Sequence, residues 1–180
     1  MIGSHNTMTY LPVEKWWMKP LNIVAKCQNK YLYSQYEKGA RCFDIRIYLK
    51  DNFYWKFCHG IVNYKSLVTV YDVIDEINSN IFDNEVEVYV RLVLEKGNSE
   101  DEFAKLCAEL ESKYPKIKFF GGVRKRDWKE LYHFKNNPDV EQYISSMSGY
   151  WFIPWLYAKL FNKKNFTKID NSKINLFDFI

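Results

Sequence analysis

The chain has 180 residues and 21.7 kDa, enough for one domain. An apolar fraction of 47% with a formal net charge of +4 excludes a mainly disordered chain, and so small a basic excess does not imply nucleic acid. The sequence contains no run of about 20 apolar residues, which excludes a spanning helix of ordinary length, and its four cysteines (Cys27, Cys42, Cys58, Cys107) lack CxxC spacing, which excludes zinc-knuckle and thioredoxin motifs.

Such thiols are expected to be buried and free. The opening, Met1 to Asn6, is polar and carries no secretory signal, so a cytoplasmic location is expected unless an export segment precedes it. Residues 40–49 (ARCFDIRIYL) alternate, with Cys42, Asp44, Arg46 and Tyr48 on one face and Phe43, Ile45 and Ile47 on the other, which predicts a strand. A turn at Lys50-Asp51-Asn52 leads to a second strand over 53–58 (FYWKFC). Val70, Val73, Ile74 and Ile77 fall at helical spacing and predict an amphipathic helix over 67–80. Residues 85–94 (EVEVYVRLVL) form a β-branched strand. Ser99 and Glu102 read as a capping box for a helix carrying Phe103, Leu106, Cys107 and Leu110. A short strand over 117–120 (IKFF) is expected to end at Gly121-Gly122, and residues 174–180 (INLFDFI) read as a terminal strand. Strand, helix, strand, helix, strand implies βαβ units and a parallel sheet. Residues 124–170 mix polar and aromatic pieces and predict no clear element.

The chemistry centres on three histidines. His5 (in GSHNTMT) and His59 (in FCHG) each stand at the C-terminal end of an expected strand, which is where parallel α/β barrels present side chains to substrate. His133, flanked by Tyr132 and Phe134, reads as surface or structural. Arginines number only five, so Arg46, on one strand face with Asp44, needs a reason to be there. Asp178 falls within the expected last strand, where a charge is costly unless partnered. Gln28 and Gln35 read as solvated helix-surface residues.

GSHNTMT at 3–9, AKCQNKYLYSQYEKGARCFDIRIY at 25–48 and FCHG at 57–60, in that order and spacing, resemble the X domain of phosphatidylinositol-specific phospholipase C. The likeness continues more loosely through 67–95 and returns at Asp178-Phe179. It implies a single catalytic domain over residues 1–180, folded as an α/β protein: a shortened, irregular (β/α) barrel, since a full barrel takes about 200–250 residues. It implies cleavage of a phosphatidylinositol-type lipid through a cyclic inositol phosphate, releasing diacylglycerol. His5 would be the general base and His59 the general acid. Arg46 would clamp phosphate, with Asp44 orienting Arg46 and Asp178 orienting His5. Asn6, Arg91 and Glu95 are candidate substrate-binding residues. For Arg91 and Glu95 a salt bridge at the barrel rim is the equal alternative.

The Asp44-Ile45-Arg46 run resembles the bacterial, metal-independent branch, in which arginine stands where the other branch holds calcium, so no metal or cofactor is expected. Asn6 is a calcium-branch feature and offers His59 no charged partner. A metal-dependent glycerophosphodiesterase would need acidic residues near His5, where Ser4, Asn6 and Thr7 stand. The rival readings are a phosphodiesterase acting on a soluble, lysophospholipid or glycosyl-inositol substrate, and a phosphate- or lipid-binding module without turnover. The expected partners are substrate and, through Trp16, Trp17, Trp151 and Trp155, a membrane surface. For the aromatic stretch 149–161 the alternative is packing of the barrel wall. A monomer is expected.

Overall fold

The computed structural model describes residues 1–81, 86–124, 130–132, 134, 144–146 and 153–180. The strands are β1 (Ile2–Ser4), β2 (Ala40–Lys50), β3 (Tyr54–His59), β4 (Val62–Asn63), β5 (Val88–Leu94), β6 (Ile117–Arg124), β7 (Glu130–Tyr132), β8 (Ile144–Ser146) and β9 (Ile174–Phe177). The helices are α1 (Asn22–Ala25), α2 (Leu32–Glu37), α3 (Val70–Ile81), α4 (Glu100–Lys113) and α5 (Pro154–Phe166).

The main sheet runs β7-β6-β5-β2-β1-β9-β8. From β6 to β8 every neighbouring pair is parallel, and β7 joins β6 antiparallel. Each parallel connection carries a helix: α1 and α2 before β2, α3 before β5, α4 before β6 and α5 before β9. This is the βαβ pattern that the sequence implies. Among the described residues no pairing joins β7 to β8, so the barrel does not close.

Side-chain alternation along β2 creates two environments. Phe43, Ile45 and Ile47 face outward into the main core, with Val90, Leu92 and Leu94 of β5, Val73, Ile74 and Ile77 of α3, and Phe103, Leu106 and Leu110 of α4. Burying each such side chain is worth about 1.5–3 kcal/mol. Cys42 faces inward, into a smaller cluster with Phe120, Ile174 and Leu176 that fills the sheet's other side. Asp44 and Arg46 follow on the same inward face, beyond that apolar floor. All four cysteines are buried and free.

Several local expectations need correction. Ser99 is the N-cap of α4 but makes no side-chain cap bond. Glu100, Asp101 and Glu102 instead put negative charge in the first turn, where the helix dipole favours it. Phe53 lies in the hairpin turn, where Asp51 and Asn52 take left-handed φ of 52° and 59°. β5 begins at Val88, so residues 86 and 87 of the expected strand lie outside it, and residue 85 lies outside the described residues. β6 does not stop at Gly121-Gly122 but continues to Arg124. Gly121 sits at φ +118°, and a Cβ there would lie 2.2 Å from the Leu92 carbonyl oxygen. Glycine thus lets β6 press against β5 instead of ending it.

Candidate active site

The inward face of β2 carries the charge layer. Its register sets Asp44 opposite Arg91, and Arg46 opposite Val93. Asp44 is fully buried, so its charge must be matched where it stands. Its Oδ1 accepts from Arg91 Nη1 at 3.2 Å. Its Oδ2 accepts from Arg46 Nε and Nη2, each at 3.2 Å, and from the Asn6 backbone N–H at 3.1 Å. Burial alone raises the Asp44 pKa, but Arg46 and Arg91 outweigh it and hold the carboxyl well below the usual carboxylate range. Arg46 is the reciprocal case: burial lowers its pKa, while Asp44 and Glu95 more than reverse that, and the guanidinium stays charged.

Glu95 follows the end of β5 by one residue and gathers three elements. Arg46 Nη1 donates to its Oε2 at 3.2 Å, Arg124 Nη1 donates to both oxygens at 3.1 Å, and the Gly60 N–H donates to Oε1 at 3.1 Å. Burial raises the Glu95 pKa, and Arg46 and Arg124 bring it below the ordinary value. Arg91 is thus paired with Asp44, and Glu95 with Arg46 and Arg124, inside the charge layer. Arg124, at the end of β6, belongs to the site although its sequence context does not single it out.

His5 emerges directly after β1, and His59 is the last residue of β3. Because β3 folds back antiparallel on β2, His59 reaches the mouth from a hairpin and not from a parallel strand. His5 Nδ1 lies 2.7 Å from Asp178 Oδ1. His59 Nδ1 lies 2.6 Å from the Ala25 carbonyl oxygen, which only accepts, so Nδ1 carries the proton. A carboxylate behind His5 fixes the same tautomer there. Both Nε2 atoms are then lone-pair acceptors, and both meet one group: Asn6 Nδ2, 3.1 Å from His5 and 3.2 Å from His59. Arg46 Nη2 approaches His5 Nε2 at 3.3 Å. The two rings stand edge to face with centroids 6.2 Å apart. Burial first, then the nearby Arg46 charge, push the His59 pKa down to about 4.

Asp178 is not inside the last strand. It follows β9, at a bend just before Phe179, which takes φ +52°. Asn162 of α5 donates to its carbonyl at 2.7 Å. Gln28 and Gln35 are not on the surface. Gln28 follows α1, Gln35 lies on α2, and both are fully buried. Gln28 Nε2 donates to the carbonyls of His5 (3.1 Å) and Phe177 (2.9 Å), tying together the strand ends that carry His5 and Asp178. Gln35 accepts from the Ser4 hydroxyl and donates to the carbonyls of Thr7 and Lys30. Parallel strand ends leave carbonyls that need donors, and these amides supply them. His133 and Trp151 lie outside the described residues, as do 149, 150 and 152 of the aromatic stretch. Trp16, Trp17 and Trp155 are 81%, 48% and 50% exposed. Among the described residues no helix is long and apolar enough to cross a membrane.

Two histidines facing each other over a buried arginine, with a carboxylate behind one ring, form a layout suited to handling a phosphate ester. The family model for phosphatidylinositol-specific phospholipase C, X domain, matches residues 4–136. The chain belongs to this family. Comparison with curated proteins gives no match. Among solved structures, it is similar to the phosphatidylinositol-specific phospholipase C from Listeria monocytogenes, with TM-score 0.70, 19% identity, and 99% of this chain covering 87% of that one. Two mutant forms of the Staphylococcus aureus enzyme align over 99% of this chain and 84% of theirs, at TM-scores of 0.69 and 0.68 with 16% and 15% identity. At such identities the likeness is one of fold. It makes the open parallel sheet a TIM-barrel-like phospholipase C X-domain fold, in which His5, Asp44, Arg46, His59 and Asp178 converge at one mouth.

Proposed function

We propose that this protein cleaves the phosphodiester of a phosphatidylinositol-type lipid by acid–base catalysis without a metal ion. The observation that carries the reading is the pair of histidine Nε2 atoms, 3.1 and 3.2 Å from one amide nitrogen, with the Arg46 guanidinium 3.3 Å from the first. His5 Nε2 takes the proton of the inositol 2-hydroxyl. The freed oxygen attacks phosphorus within the same molecule. The bond from phosphorus to the diacylglycerol oxygen breaks, and His59 protonates that oxygen. The products are a cyclic inositol phosphate and diacylglycerol. Holding hydroxyl and phosphate in line is worth roughly 7–11 kcal/mol of barrier. Arg46 clamps a phosphate oxygen with a charge-assisted bond. Asp178 holds the His5 tautomer and stabilises the imidazolium that forms.

The metal-free reading rests on the surroundings of Arg46. Asp44 and Glu95, the nearest carboxylates, are both paired with it at 3.2 Å. A built-in cation thus occupies the acidic pair that a divalent ion would need. A module that binds phosphate without turnover finds support in one observation, the His59 pKa near 4, which leaves that ring neutral at pH 7. The 2.7 Å contact between Asp178 and His5 favours turnover, because a module without catalysis has no need of an oriented base.

Release of diacylglycerol from phosphatidylinositol vesicles in excess EDTA tests the reading. Replacing His5 or His59 by alanine should each lower turnover about 10²–10⁴-fold. Turnover unchanged in either variant, or requiring calcium, would refute it. The exposed Trp16, Trp17 and Trp155 support peripheral contact with the lipid surface. A Trp16→Ala/Trp17→Ala double variant should bind phosphatidylinositol vesicles more weakly in a sedimentation assay while cleaving a soluble glycerophosphoinositol as before. Equal vesicle binding would remove that contact.

A further inference from the structure

One buried nucleophile at the mouth has no part in this chemistry. Cys27 follows α1 and is 1% exposed. Its Sγ accepts from Asn6 Nδ2 at 3.4 Å and lies 4.0 Å from His59 Nδ1. Burial first, and the Asp178 charge second, keep the thiol strongly protonated. Yet its sulfur belongs to a set of three donors, one each from His5, Cys27 and Asp178, that lie within 4.8 Å of one another.

We propose that His5, Cys27 and Asp178 form a binding site for a thiophilic divalent cation of the zinc class, which competes with catalysis for the same side chains. The donor set decides the class of ion. A thiolate, an imidazole and one carboxylate suit zinc or cadmium. Calcium and magnesium want several oxygens. Three protein ligands with a fourth place for water match an open zinc site. At zinc bond lengths of about 2.0–2.3 Å, donors on a tetrahedral centre stand about 3.3–3.8 Å apart. No donor pair lies farther apart than 4.8 Å, so none need close by more than about 1.5 Å, and the His5–Asp178 contact opens from 2.7 Å to make room. Rotations of three side chains supply both movements.

Charge also balances. Binding releases the Cys27 thiol proton to solvent and shifts the His5 ring proton from Nδ1 to Nε2, which frees the Nδ1 lone pair beside Asp178 for the metal. The thiolate and the Asp178 carboxylate then cancel the two charges of the metal, so the buried complex is neutral apart from its surroundings. Arg46 would repel a cation, and Asp44 and Glu95, each 3.2 Å from it, offset only part of its charge because they also pair with Arg91 and Arg124. Ion entry runs past His5, whose side chain is 18% exposed. A bound ion takes up the imidazole and carboxylate that move the proton, so it inhibits. That consequence rests on His5 being the general base, whereas binding does not.

The test is titration of the intact protein with Cd2+, followed by the ultraviolet thiolate-to-cadmium charge-transfer band. One equivalent should produce the band, Zn2+ should displace it, and Ca2+ and Mg2+ should not. Cys27→Ser and, at the partly exposed position, His5→Gln should each abolish the band in protein that still melts cooperatively. Cys107→Ser should retain it. Absence of a band in the intact protein, or a band that survives in Cys27→Ser or in His5→Gln, would overturn the proposal. Turnover of phosphatidylinositol is read alongside. A cadmium band with undiminished turnover would keep the metal site and remove His5 as the general base, so the two readings fail separately.

Discussion

A phosphate anion held between the two histidines should raise the pKa of His59 by several units. Before that anion arrives the value is about 4, because burial and Arg46 disfavour the imidazolium. The Nε2 atoms of both rings lie within 3.2 Å of one Asn6 nitrogen, so a phosphate oxygen bridging them sits within about 4 Å of His59. At 4 Å, one unit charge acting through an effective dielectric of about 20 contributes about 4 kcal/mol. At 1.36 kcal/mol per unit that is about 3 units. The value then moves from about 4 to near 7, and His59 becomes a competent acid at neutral pH because substrate charges it. The same anion offsets Arg46, which adds to the shift. Proton–carbon NMR of labelled imidazole, titrated with and without saturating inositol phosphate, measures this directly. A His59 pKa that stays near 4 with ligand bound would refute the reasoning and favour a binding module.

Three further outcomes follow from the packing and the charges. Because burial depresses the His59 pKa from 6.5 to about 4, the unfolded chain takes up that proton first as pH falls, so stability is lost between about pH 6.5 and about 4. The loss reaches about 3 kcal/mol, and a urea midpoint at pH 4.5 equal to or above that at pH 7 would contradict it. Gln28→Leu should cost about 1–3 kcal/mol, since it strips the buried His5 carbonyl of its side-chain donor. It should also lower kcat more than it raises KM, because it loosens the segment bearing the base; denaturant melts with steady-state kinetics check both. Gly121→Ala should destabilise by more than about 2 kcal/mol, because its Cβ would overlap the Leu92 carbonyl at 2.2 Å in a left-handed conformation. A melting temperature within a degree of the parent would show that β6 has room to move.

The parts of the site that repeat with period two were legible in the chain. Alternation in residues 40–49 already puts Asp44 and Arg46 on one face, and strand ends before His5 and after Phe57 bring both histidines toward one mouth. Partners that depend on main-chain atoms were not legible. The Nδ1 partner of His59 is a carbonyl of Ala25, 34 residues earlier, and any residue type supplies one. Gln28 and Gln35 read as solvated because polar residues on short helices usually are. Their burial becomes necessary only once β1 and β9 lie side by side with carbonyls to satisfy. Glu95 looked like a rim residue or a substrate contact because Arg124, its partner at 3.1 Å, comes from the next strand, 29 residues later. The capping box failed at Ser99 because its φ of −102° and ψ of 45° depart from the extended geometry that aims an N-cap side chain at the first turn.

Cleavage through a cyclic phosphate, with the two histidines moving the protons, leaves a product that can be seen directly. Phosphorus NMR of the protein with phosphatidylinositol micelles in excess EDTA tests it most directly, with His5→Ala and His59→Ala run in parallel. The parent protein should give a cyclic inositol phosphate resonance and either variant none. A signal that appears only after calcium is added, or an acyclic phosphate formed first, would contradict it.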